Sequence, residues 1–77
     1  MTDIQKRLFE LQDMAYRDFH SGLIPELPKE HFIGIRVPVL KKFAKEYKKE
    51  AEAEVFLKQL PHTYYEEYML HGLLIAE

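Results

Sequence analysis

Apolar residues recur at Ile4, Leu8, Leu11, Ala15 and Phe19, the spacing of a single stripe along an α-helix. Phe9 and Tyr16 widen that stripe, as expected for a helix touched from two sides. Thr2 and Gln5 stand at capping-box spacing ahead of it, and Gly22 is the expected stop. Residues 22–37 form a connector in which Pro25 and Pro28 forbid a continuous helix. "PKEHF" has the makings of one helical turn, and Gly34 is a turn point. Leu23, Ile24, Leu27, Phe32, Ile33 and Ile35 make the connector too apolar to be a free linker, so it should lie on the helices.

A second helix is expected from Pro38, a residue favoured at the first helical position. Leu40, Phe43, Ala44 and Tyr47 form its inner stripe. The next stripe, Ala53, Phe56, Leu57 and Leu60, is out of phase with the first at about 100° per residue. The phase change predicts a break near 49–52 and a short third helix over 52–60, ended by Pro61. Thr63 and Glu66 repeat the capping-box spacing and open a last helix, with Glu66 and Glu67 as first-turn acids. Tyr64, Tyr68, His71 and Ile75 line one side of this helix, with Tyr65, Met69 and Gly72 beside them. Leu70, Leu73 and Leu74 occupy the side that should be polar in an isolated amphipathic helix. The pattern predicts a helix between two layers, one of them beyond Glu77 or on another molecule. Leu70, Leu73 and Leu74 are therefore the candidate interface. No strand pattern survives. The prediction is an all-α chain of about four helices with a Pro-rich connector, the opening of a helical solenoid. A self-contained four-helix bundle is the competing architecture.

Seventy-seven residues allow one small domain with a marginal core. The absence of cysteine removes disulfides and thiolate metal sites and fits a reducing, cytoplasmic setting. The first residues lack the apolar stretch of a signal peptide, and no apolar run reaches the length of a membrane span. Residues 36–49 carry six basic side chains against Glu46 alone, a net of +5, so the remainder must sum to −7 for the whole-chain value of −2. Lys41, Lys45, Lys48 and Lys49, with Lys42 at the edge, lie opposite the apolar stripe of the second helix. They are candidates for neutralising nucleic-acid phosphates; the alternative is a solvated helix face. Arg36, just before Pro38, fits better as the partner of a carboxylate that fixes the turn.

The candidate chemistry is thin. His62 with Glu66, and Glu67 with His71, stand four apart, a spacing that can place two metal ligands on one helix face. The two pairs fall on different faces, so ordinary capping and polar pairing explain them better and no metal site is assigned. His71 lies on the apolar stripe and reads as a hydrogen-bonded interior histidine. Glu66 and Glu67 read as surface or first-turn acids. No phosphate-binding glycine loop, G-x-S-x-G or cysteine nucleophile is present.

Three stretches, "LFELQDMAYRDFHSGLIP", "IGIRVPVLKKFAKEY" and "LPHTYYEEYMLHGLLI", resemble the N-terminal part of the AlkD-like DNA alkylation repair family. The resemblance spans essentially the whole chain in order. It implies HEAT-like helical repeats curved around duplex DNA, and an enzyme class that removes positively charged alkylated purines. It also implies a catalytic Asp with aromatic and Arg neighbours on helices after the part matched. No residue of 1–77 aligns with these, so no catalytic residue and no cofactor is assigned. On this reading the missing layer is the next repeat and the chain is truncated. It would help to hold duplex DNA without catalysing base excision alone. The alternative is a small interaction module whose leucine face binds a partner or a second copy of the chain.

Overall fold

The computed structural model describes residues 1–76, and Glu77 lies outside them. Thr2 opens α1 (Asp3–Phe9) with the predicted reciprocal cap. The Gln5 amide N–H donates to Thr2 Oγ1 at 3.3 Å, and Thr2 N–H donates to Gln5 Oε1 at 2.9 Å. The first helix then ends early. Asp13 starts a separate helix, α2 (Met14–Leu23), by accepting the Tyr16 N–H at 3.0 Å. The expected continuous stripe is therefore split, and Ala15 and Phe19, its last two members, are exposed. The inner side of α2 is formed by Tyr16, Arg17 and His20, while Met14, Phe19 and Leu23 point outward.

Lys29–His31 make one 3-10 turn in the connector. After it, α3 (Val37–Tyr47) starts with Pro38 in its first turn and buries Leu40, Ala44 and Tyr47. A run of turns over 48–51 resets the phase, and α4 (Glu52–Lys58) buries Ala53 and Phe56. A cis Leu60–Pro61 bond leads into α5 (Tyr65–Ala76). The described residues thus form an all-helical chain without strands, with five α-helices because the first predicted one is two. This architecture is consistent with a fragment of a helical repeat.

α5 packs mainly on α3 and also on α4. Its orientation corrects the sequence expectation. Leu70 is fully buried and Leu74 nearly so, both within the main core with Leu8, Leu40 and Phe56, and Leu73 is half-buried against that core. The side of α5 left open carries Tyr68, Gly72 and Ile75 instead. The physical reason lies one turn earlier. Glu66 and Glu67 are both buried, on the side that leads to Leu70 and Leu74. Read as surface acids, they marked the core side as the solvent side. Leu70, Leu73 and Leu74 are consequently not an exposed interface.

Candidate nucleic-acid interface

The basic face depends on how α3 is started and held. Backbone groups of residues 32–34, just before it, are bound from three elements. Arg17 donates from Nε to the Phe32 carbonyl at 2.9 Å and from a terminal nitrogen to the Lys29 carbonyl at 3.1 Å. Gln12 Nε2 donates to the Ile33 carbonyl at 2.9 Å, and the Asp13 N–H donates to the Gly34 carbonyl at 2.7 Å. From α5, Glu66 accepts the Ile33 N–H at 2.8 Å on one oxygen and the Gly34 N–H at 3.0 Å on the other. A fully buried carboxylate needs such partners, because an unpaired one would lose its hydration without compensation. Gly34 has φ +90°, and a Cβ there would collide with Arg17 Cβ and stand 2.8 Å from the Asp13 carbonyl oxygen. Glycine is required at this position both for the backbone conformation and for the close approach.

Arg36 then makes the carboxylate contact expected of it: its Nε lies 3.1 Å from Asp13 Oδ2, and its guanidinium sits 5.1 Å from the centre of the Tyr16 ring. The Tyr16 N–H and the Arg36 guanidinium together hold the Asp13 carboxyl below the usual carboxylate range. One aspartate therefore caps α2 and fixes the start of α3.

With the inner stripe of α3 anchored, Lys41, Lys42, Lys45, Lys48 and Lys49 are all exposed. Among the described residues Lys41, Lys42 and Lys45 make no ion pair, whereas Lys49 Nζ lies 3.8 Å from Glu46 Oε2. Glu46 thus trims one edge of the patch. Beside it, Lys42 and Glu46 border a shallow groove with Leu11, Val39 and Phe43. The far end of α3 is braced by Arg7, whose two terminal nitrogens each lie 2.9 Å from an oxygen of Glu50. The same guanidinium sits 5.2 Å from the Phe43 ring centre and 5.3 Å from that of Tyr47. The Glu50 hydrogen bond raises the Arg7 pKa and lowers that of Glu50. Both partners are about 40% exposed, so the ion pair itself adds little, and the stacking is the firmer part of the contact.

The acids and histidines on and before α5 are occupied with structure. Glu67 Oε1 accepts the N–H groups of Thr63 at 3.0 Å and Tyr64 at 2.9 Å, and Nε2 of Gln5 at 3.2 Å. It takes the capping role that the Thr63 spacing had assigned to Glu66. His62 and His71 do converge, with Nε2 and Nδ1 3.0 Å apart, although the sequence pairs each with a glutamate instead. The hydrogen-bonded reading of His71 matches this geometry. The described residues contain no cluster of three side chains able to hold a metal ion. None of their helices is long and apolar enough to cross a membrane.

Sequence reasoning missed Gln12, Arg17 and the two buried glutamates. Asp13 followed by Tyr16 carried a readable cap signal. The long-range bonds to residues 32–34 left no local trace.

The fold and this surface define a small all-helical, repeat-like protein with one lysine-rich helix face. The chain belongs to the DNA alkylation repair enzyme family, whose model matches residues 4–77. Comparison with curated proteins and with solved structures gave no match.

Proposed function

We propose that this chain lays the lysine face of α3 along the phosphate backbone of duplex DNA within a DNA alkylation repair protein. On this reading it is an N-terminal helical-repeat segment that holds DNA while later repeats carry the chemistry. One observation supports the DNA contact above others. Lys41, Lys42 and Lys45 project from α3, and Lys48 and Lys49 from the turn that follows it, while the opposite side of the helix is locked into the core and its start is fixed by Asp13, Arg36 and Glu66. Lysine acts on phosphate as a point charge, so a helix presenting several of them suits contact with a strand of phosphates regardless of base sequence. Nothing comparable supports catalysis by these residues alone. Glu66 is committed on both oxygens to backbone N–H groups, and Glu67 is committed to the segment before α5.

The test is fluorescence anisotropy of a short labelled duplex titrated at several salt concentrations. Binding should weaken with salt along a log–log slope of roughly −0.9 for each phosphate contacted. Lys41→Gln with Lys45→Gln should make that slope shallower by about 2 and leave the unfolding midpoint unchanged. Absence of binding at low salt, or an unchanged slope in the double variant, would remove the lysine face from DNA recognition. Release of an alkylated purine by the pure chain would overturn the non-catalytic assignment.

A further inference from the structure

The segment between α4 and α5 is held almost entirely by side chains that project from the first two turns of α5. Glu67 takes the N–H groups of Thr63 and Tyr64. The Tyr68 hydroxyl accepts the His62 N–H at 3.0 Å and donates to the His62 carbonyl at 3.0 Å. His71 Nδ1 meets His62 Nε2 at 3.0 Å. The His62 ring is also stacked on Phe56 of α4, with centres 4.3 Å apart and planes 10° apart. We propose that the His62–His71 pair is a proton-operated latch that fastens this connector to α5 and lets go when both rings are protonated.

The argument rests on counting hydrogens. Two imidazole nitrogens 3.0 Å apart need one hydrogen between them. Two neutral rings meet that need, one donating and the other offering a lone pair. Adding one proton also meets it, because an imidazolium can still donate to a neutral ring. Adding a second places an N–H on both facing nitrogens, with no lone pair left between two like charges. The pair must then separate, and the stacked, half-buried His62 ring moves with it.

The surroundings set the direction. From α5, Glu67 is the acid whose charge acts on His62, and Tyr68 contributes a hydroxyl. From α4 the neighbours are Phe56 and Gln59, and from α1 they are Thr2 and Gln5, all neutral. Burial lowers the His62 pKa, the charge of His71 lowers it further, and Glu67 opposes both. A histidine whose folded value is depressed stabilises the fold fully above its unfolded value of 6.5. That contribution is lost as pH falls from there through the folded value. The latch is therefore closed at neutral pH and opens on acidification. The Glu66 bonds to residues 33 and 34 include no histidine, so opening is confined to the connector.

Imidazole nitrogen shifts and backbone amide exchange, followed by NMR from pH 8 to pH 4.5, test the proposal. The two rings should titrate in two separate steps, the second at lower pH than the first. With that second step the His62, Thr63 and Tyr64 amides should lose about tenfold protection, after correction for intrinsic exchange. His71→Asn keeps a polar partner that does not titrate and should make connector protection independent of pH. His31→Asn, at the exposed end of the 3-10 turn, should behave as wild type. Unchanged connector protection in the wild-type chain while both rings titrate would overturn the latch, whatever the variants do. A pH-dependent loss that persists in His71→Asn, or that vanishes in His31→Asn, would overturn it equally.

Discussion

Glu66 is a fully buried side chain that holds two consecutive backbone groups. It replaces water for two N–H groups that have no other acceptor inside the fold. Glu66→Gln keeps the shape but turns one oxygen into a donor that faces another donor. Bonds to a charged acceptor contribute about 1.5–3 kcal/mol, so the variant should be destabilised by about 2 kcal/mol or more in urea unfolding. A shift smaller than about 0.5 kcal/mol, the scatter of ordinary surface changes, would mean that the carboxylate is not the keystone described. Gly34→Ala probes the other side of the same junction. Its methyl group has no room beside Arg17 Cβ, and the backbone there is left-handed. We expect a loss of about 2 kcal/mol, in the middle of the range for such strain, and no rescue by valine or serine. Gly34 announced itself as a turn point, but Glu66 did not. A glutamate next to a second glutamate reads as a solvated first turn, and only the tertiary contact reveals which oxygen meets which amide.

Helices α3, α4 and α5 were legible because each carried its own local signals. Pro38 at a first turn, the phase change between the Leu40–Tyr47 and Ala53–Leu60 stripes, and Pro61 are all features of adjacent residues. What failed was the joining of α1 to α2, and the facing of α5. In the first case the helical spacing of Leu11, Ala15 and Phe19 outweighed one capping aspartate, yet Asp13 has partners at both ends of its carboxylate. Removing it should test the division. Asp13→Ala should lower the thermal midpoint and loosen the start of α3 as well as that of α2, visible as faster exchange at Tyr16 and Leu40. The wild-type chain should also show a pH dependence that the variant lacks. The folded Asp13 pKa lies below its unfolded value, so its stabilisation is complete above about pH 4 and fades as pH falls through the folded value. Equal acid sensitivity in both proteins would show that the cap contributes nothing to the unfolding equilibrium.

At the scale of the molecule, the two ends of the chain meet. Gln5 in α1 caps its own helix with one amide atom and donates to Glu67 in α5 with the other. The lysine face lies away from this junction, on the outer side of α3. Charge reversal there should change DNA association without changing stability, while core changes should do the opposite. Phe32→Ala is the contrasting case: the ring is almost fully buried between His20 and Tyr65, and its loss should cost about 3–5 kcal/mol. For a chain whose total stability is on the order of 4–12 kcal/mol, that change approaches unfolding. Circular dichroism during heating would show it directly, and a midpoint within a few degrees of wild type would argue against a single cooperative core. The lysine patch itself was readable from sequence, because basic and apolar positions at helical spacing, broken only by Glu46, need only helical geometry to sort them onto opposite sides.

The dependence of Ile33 and Gly34 on Glu66 also has a consequence for synthesis. A ribosome makes residues 33 and 34 long before it makes their acceptor, which lies 32 and 33 positions downstream. At about 5–20 residues per second, the two amides wait seconds for their partner. During that interval the N-terminal half has Gln12, Asp13 and Arg17 ready to bind the carbonyls of residues 32–34, but no carboxylate for the amides. The nascent chain is thus committed to its junction from one side first, and it closes only when α5 has emerged.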